Sequence, residues 1–234
     1  MTTQVTGRPL DDDGEPTDGP ALEIDPDGPA MELFTESPHA LASCPGMRMW
    51  STILEYPDSS EAATPSMLVW VDPDATELPP HVHKSTSEVF RAVEGELTVV
   101  VDGDPHRLSP GSQLTVEAGD SHYFRNDTDE FVAFHVDVPW TRTIDTQYMS
   151  GGLDHEGAFG ADGAYGEPDL VQGLLMAEYV APETHITGAP HVVQRALWAT
   201  IGRLARLTGR QAMDETYLRD QFWESNVEQP DFGA

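Results

Sequence analysis

Lysine and cysteine are almost missing from this chain. Among its 234 residues there is one Lys (Lys84) and one Cys (Cys44), so a disulfide framework is excluded. Positive charge is scarce in general: 12 Lys and Arg stand against 41 Asp and Glu, a formal net charge of −29. A surface this acidic repels nucleic acid and anionic lipid, and neither is expected as a partner. Long apolar runs are missing too. None approaches the roughly 18 residues that a spanning helix needs. No basic stretch followed by an apolar one opens the sequence, so the expected location is the cytoplasm. Hydrophobic residues still make up 38% of the chain, enough for a sizeable core and too many for wholesale disorder. Acid excess together with Lys depletion points to a high-salt (halophilic) cytoplasm. There the Debye length shrinks to about 3 Å near 1 M and self-repulsion is screened.

Three textures follow one another. Residues 1–30 hold eight acids, one Arg and several Pro and Gly, with no periodicity, and read as an acidic flexible tail. Residues 31–146 contain short β-type runs cut by turn signals every eight to twelve residues, the pattern of a sandwich or barrel. Asp102-Gly103 between two such runs is a strong hairpin signal. Residues 147–234 begin with a glycine-rich, structure-poor connection (Gly151, Gly152, Gly157, Gly160, Gly163, Gly166). Helical patterns follow over about 168–178, 190–208 and 214–224.

The segment with chemistry in it reads Pro80-His81-Val82-His83-Lys84-Ser85-Thr86-Ser87-Glu88. Residues two apart in a strand share a face, so His81 and His83 can point the same way. Glu88 is out of phase with them. A turn through 84–87 removes the conflict by placing Glu88 at the start of the next strand. Further on, His122, Phe124 and Asn126 share one strand face. Three imidazoles and a carboxylate can then converge on one point, a donor set that suits a divalent transition metal. Fe, Mn, Ni, Cu and Zn all accept imidazole.

The two segments resemble the paired motifs of the cupin superfamily, G-x5-H-x-H-x(3,4)-E-x6-G and G-x5-P-x-G-x2-H-x3-N. His81, His83, Glu88 and Gly95 match the first; Gly111, Gly119, His122 and Asn126 match the second. Ala75 stands in place of the opening Gly and Glu117 in place of the Pro, departures that concern turns and not ligands. The resemblance spans about residues 46–140. It implies an all-β core, a conical antiparallel β-barrel of the double-stranded β-helix (jelly-roll-like) type, here with a C-terminal α-helical appendage. It also implies metal ligands at His81, His83, Glu88 and His122. The superfamily includes dioxygenases, isomerases, decarboxylases, storage proteins and sensor domains, so the resemblance specifies the fold far better than the reaction.

The expected function is a metal-dependent cupin acting on a small organic molecule, an oxidoreductase of dioxygenase type with Fe or Mn favoured as its metal. A non-redox isomerase or lyase and a non-catalytic binding module stand as alternatives. Glu88, if it leaves the metal during turnover, is a candidate catalytic base. His135, on the last strand run, is a candidate acid/base. Phe90, Ala92 and Phe124 are candidate pocket walls, Arg48, Trp50 and Trp70 candidate cavity residues, and Cys44 a weak candidate nucleophile. Residues 191–213 carry Arg195, Arg203, Arg206 and Arg210 and no acid. These cations are expected to pair with acids of the barrel or of a second subunit, while a face of Val193, Leu197, Ile201, Leu204 and Thr208 packs down. A homo-oligomer through the C-terminal helices is the protein partner this allows.

Overall fold

In chain order the computed structural model, which describes residues 3–57, 63–160 and 164–231, begins with β1 (Gln4–Thr6), β2 (Leu22–Ile24), α1 (Pro29–Glu36) and β3 (Ala42–Cys44). A single 3-10 turn at Pro45–Met47 leads into β4 (Met49–Glu55) and β5 (Ser66–Val71). Then come β6 (His81–His83), β7 (Glu88–Glu94), β8 (Leu97–Val101), β9 (Asp104–Leu108), β10 (Gln113–Val116), β11 (His122–Arg125) and β12 (Val132–Asp137). The remainder is α2 (Thr141–His155), α3 (Leu170–Val180), β13 (Thr184–Ile186), α4 (His191–Leu197), a π turn (Trp198–Gly202), α5 (Arg203–Leu207), a 3-10 turn (Glu215–Leu218) and α6 (Asp220–Asn226).

The strands form a six-stranded sheet, β10-β7-β12-β5-β4-β3, and a five-stranded sheet, β13-β6-β11-β8-β9, with β1-β2 as a separate ribbon. Every pairing is antiparallel. β5, Ser-Met-Leu-Val-Trp-Val, is buried at every position because both its faces are covered. α1 lies on one side, with Phe34 edge-on to Trp70 at 6.1 Å, and the space between the sheets lies on the other. β7 alternates buried and half-buried residues, the pattern of a strand with one face inward. β9, an edge strand, carries Asp104, Pro105, His106 and Arg107 at exposed positions, which blunts it against further pairing. The β8–β9 hairpin turns on Asp102 and Gly103 with φ of 51° and 92°, the two left-handed residues that the Asp-Gly pair predicts.

Four expectations need correction. First, no closed barrel occurs among the described residues. The two sheets face each other as a sandwich, and at the β3 edge it is α2, through Tyr148 and Met149, that joins the core. Second, residues 3–30 are not a loose tail. Leu22 and Ile24, two apart on β2, are buried, the Trp50 indole N–H donates to Gly7 O at 2.7 Å, and Arg8 forms a bidentate pair with Glu228. Two apolar residues in β phase anchor the segment while its acids point outward.

Third, the glycine-rich stretch is helical as far as His155. Gly151 and Gly152 lie in α2, where a Cβ would overlap Ser43 O and the Tyr217 ring, so glycine serves close approach there. Gly163 lies outside the described residues.

Fourth, the expected helix over 190–208 is present, yet it packs through Gln194, Trp198, Gly202 and Ala205, leaving Val193, Ile201 and Leu204 exposed. Two of its cations do find acids, but on and beside α3: Arg206 pairs with Glu178 and Arg210 with Asp169.

Candidate metal centre

β6 lies between β11 and β13, and the register does most of the assembly. His122 pairs directly with His81 across the β11–β6 ladder, which puts both side chains on one face. His83, two residues on, shares that face. The turn through 84–87 carries the chain from one sheet to the other, so Glu88 enters from the opposite wall at the head of β7. One ligand atom from each of the four lies within 4.8 Å of the others. The imidazole centroids are 4.5 to 5.1 Å apart. His83, His122 and Glu88 are 1%, 1% and 4% exposed, while His81 is half-buried.

The outward-facing ring nitrogens are all engaged. His122 Nδ1 is 3.0 Å from Asp120 O and His81 Nδ1 is 3.2 Å from Pro79 O. A carbonyl only accepts, so both of these Nδ1 atoms carry a proton and Nε2 is the nitrogen that can turn to a cation; at His122 the 2.7 Å approach to the Glu88 carboxylate holds a further proton between Nε2 and Oε2, which a cation would displace. His83 Nδ1 lies 2.9 Å from the Thr184 hydroxyl. On the inner side Glu88 Oε2 is 2.7 Å from His122 Nε2 and 3.4 Å from His83 Nε2. Burial alone would raise the Glu88 pKa, but His122 and His83 outweigh it and hold the carboxyl down at about 2. Against its own burial, His122 is raised by the hydrogen bond to Glu88. His81 is lowered to about 4, chiefly by burial, which outweighs the attraction of Glu88.

The apolar neighbours are those expected. Phe90 stands 6.2 Å from the His122 ring and 6.2 Å from Phe124, and Phe134 completes the aromatic set 4.8 Å from Phe124. Ala92 is opposite Phe134 in the ladder and buried.

The remaining candidates do not join the site. Phe134 faces the interior, so His135 faces the other side of the sheet, 3.2 Å from Asp137 and paired in register with Arg91. A catalytic role for His135 is not supported by that placement. Trp50 and Trp70 are cross-strand partners on the face that α1 and the N-terminal segment cover. Arg48 holds Asp72 through two hydrogen bonds of 2.9 and 3.0 Å. Cys44 is buried, and burial pushes its thiol up to about 12, far from a reactive thiolate.

One contributor escapes sequence reasoning. Thr184, on a strand between two helices, reaches His83 from 101 residues away. The only local signal is the β-branched run Thr184-His185-Ile186-Thr187 between Pro182 and Gly188.

Similarity to known proteins covers part of this chain. No curated protein matches the chain in sequence. Among solved structures it is similar to a sugar phosphate isomerase of the cupin superfamily from Silicibacter pomeroyi, with 27% identity over 42% of this chain and 67% of that one and a TM-score of 0.34. It is also similar to the cupin domain of an XRE family transcriptional regulator from Enterobacter cloacae (24% identity, 38% and 93% coverage, TM-score 0.34). A third is KdgF from Halomonas sp. (21% identity, 42% and 84% coverage, TM-score 0.33). Residues 67–139 match the sequence profile of the Cupin domain family, and that stretch holds all four clustered side chains. Residues 67–139 are thus a cupin domain within a longer chain, the rest of which lies outside the match.

Proposed function

We propose that this protein is a metal-dependent cupin acting on a small organic molecule, an oxidoreductase of mononuclear dioxygenase type. His81, His83, Glu88 and His122 would hold one divalent transition ion. The observation that carries the metal reading is the direction of the imidazole nitrogens. Each Nδ1 meets a protein oxygen, and each Nε2 is left to converge with a buried carboxylate. A dication would displace the proton shared by His122 and Glu88 and be met by three neutral imidazoles and one carboxylate, whose charge offsets part of its own. Bound there, the ion would supply a Lewis-acid centre and, as Fe or Mn, a redox centre; Ni, Cu and Zn also suit these donors.

The chain's own residues do the rest. Glu88, held near 2, stays ionised as a ligand across the working pH range, which makes it a weak base if it ever leaves the ion. Phe90 and Phe124 keep the His122 side of the site apolar. His81, the half-buried member, marks the side open to a substrate.

An isomerase or lyase needs a proton carrier beyond the ligands, for which the sequence offers His135 or a tyrosine, and His135 faces away from them. This placement favours chemistry in which substrate and O₂ are brought together over chemistry that shuttles protons. Anaerobic loading with Fe(II), metal analysis, and O₂ uptake with a panel of phenolic and diketone compounds test both halves. One metal per chain with substrate-dependent uptake is expected. Failure to retain any of Fe, Mn, Ni, Cu or Zn overturns the metal reading. Full loading with no uptake across the panel overturns the oxygenase and leaves the non-redox isomerase or lyase and the binding module.

A further inference from the structure

The segment joining α3 to α4 touches the metal motif at every level. β13 pairs with β6 in the register Thr184↔His83 and Ile186↔His81. Thr184 is buried, and its hydroxyl meets His83 Nδ1 at 2.9 Å. The Glu183 carboxylate lies over the turn between His83 and Glu88. Its Oε1 accepts from Ser85 N at 2.8 Å, Thr86 N at 2.9 Å and Ser85 Oγ at 2.9 Å. Lys84, the only lysine, donates from Nζ to Ala181 O and Pro182 O, and its backbone N–H to Glu183 O at 2.8 Å. Thr187 ties down Pro80 O through both its N–H (2.9 Å) and its hydroxyl (3.0 Å). Residues 181–187 thus grip the chain on both sides of the two motif histidines.

We propose that this C-terminal segment is a working part of the metal centre: Thr184 is a positioning residue that fixes the tautomer of His83, and Glu183 fixes the turn that delivers Glu88. The inference rests on the metal reading above. For His83 to bind a cation through Nε2, its proton must sit on Nδ1, and a buried Nδ1–H needs an acceptor. The Thr184 oxygen is the acceptor within reach. Valine has the same shape and no oxygen. With Thr184→Val, His83 either buries an unpaired N–H or moves its proton to Nε2, and both weaken binding. Removing a hydrogen-bond partner of a ligating histidine lowers metal affinity by about 10- to 100-fold.

The experiment uses the full chain with Zn(II) as probe, titrated against a chelating indicator. Wild type should bind one Zn(II), Thr184→Val should bind it about 10- to 100-fold more weakly, and Thr184→Ser, which keeps the oxygen, should return to within about threefold of wild type, inside the scatter of such contributions. In the metal-free state Thr184→Ser should melt with wild type, and Thr184→Val should stay cooperatively folded with a loss no larger than one unpaired buried N–H costs, which separates positioning from a general loss of packing. In the Zn-loaded wild type, a slowly exchanging Nδ1–H of His83 should be visible by 15N NMR, a readout that needs no variant. For the second limb, Glu183→Ala should speed amide exchange at Ser85 and Thr86 and lower Zn(II) affinity. Equal affinity of wild type and Thr184→Val overturns the proposal while leaving the metal centre standing. So does a loss that Thr184→Ser fails to repair. A wild type that binds no metal removes the metal reading and this inference together.

Discussion

Glu88→Gln separates what the carboxylate does for the metal from what it does for the fold. The side chain is 5% exposed, and among the described residues its partners are His122 at 2.7 Å and His83 at 3.4 Å, with no Lys or Arg. Taking a carboxylate out of water costs several kcal/mol, and a buried ion pair returns little net stability for it. Glutamine keeps the shape and removes the charge. His122 is left without an anionic partner, but it can shed its proton, so no orphan charge remains. The metal-free variant should therefore melt at or above the wild-type temperature. The loaded protein should behave oppositely. At a free metal concentration of 1,000 Kd, binding stabilises wild type by ~4.1 kcal/mol, or ~8–16 °C for a chain of this size. If loss of the anionic donor weakens binding about 100-fold, the same metal stands at about 10 Kd and contributes ~1.4 kcal/mol, or ~3–6 °C. Differential scanning calorimetry with and without metal, with metal content measured in parallel, reads both. A metal-free Glu88→Gln that melts several degrees lower, with the metal-induced gain unchanged, would refute the reasoning and make Glu88 a structural residue.

Gly152→Ala forces a Cβ into the buried Tyr217 ring and should destabilise by about 1–3 kcal/mol, as overpacking does; an unchanged denaturation midpoint would show that α2 can shift freely. His155 is held down at about 4 by burial, below its ordinary 6.5. The unfolded chain thus binds more protons between those values, and the stability from keeping this ring neutral is complete above pH 6.5 and lost as pH falls toward 4. His155→Gln should flatten the melting profile between pH 7 and 5 relative to wild type, and superimposable profiles would contradict this. With a net charge of −29, melting temperature should rise from millimolar to molar salt; a flat response counts against a high-salt origin. Leu204 and Leu207 are 63% and 78% exposed on the Arg-bearing helix. If that face joins two copies, Leu204→Glu with Leu207→Glu should halve the mass measured by light scattering, and a monomeric wild type sinks the idea.

The ligands are legible in the sequence because their placement depends on short-range periodicity. Two-residue spacing puts His81 and His83 on one face. The phase slip to Glu88 demands a turn, and the turn at 84–87 is where the chain changes sheets. The Asp102-Gly103 hairpin is legible for the same reason, since its backbone angles are a local requirement. Composition misleads where packing overrides it. Acid-rich residues 3–30 pack because Leu22 and Ile24 find a pocket, and Gly151 and Gly152 sit in a helix because neighbours approach their backbone. His135 cannot be assigned from its strand alone: either face of an apolar run fits the core until the partner strands are known.

The least legible feature is the one on which the chemistry leans. A histidine's ligand nitrogen is chosen by the group on its other nitrogen, and for His83 that group lies 101 residues away. No periodicity within the cupin segment could announce it, because matched residues 67–139 end well before Thr184. Two of the three imidazoles are oriented by carbonyls within two residues of themselves, Pro79 for His81 and Asp120 for His122. Only His83 depends on a distant side chain. β13 is anchored at one end by α3 and at the other by Gln194 of α4, whose amide donates to Ile186 O at 2.7 Å, so the C-terminal helices are tied to His83 through Thr184 and to His81 through the Ile186 pairing. A perturbation that loosens those helices should disturb His83 and His81, the two histidines of β6, before it reaches His122.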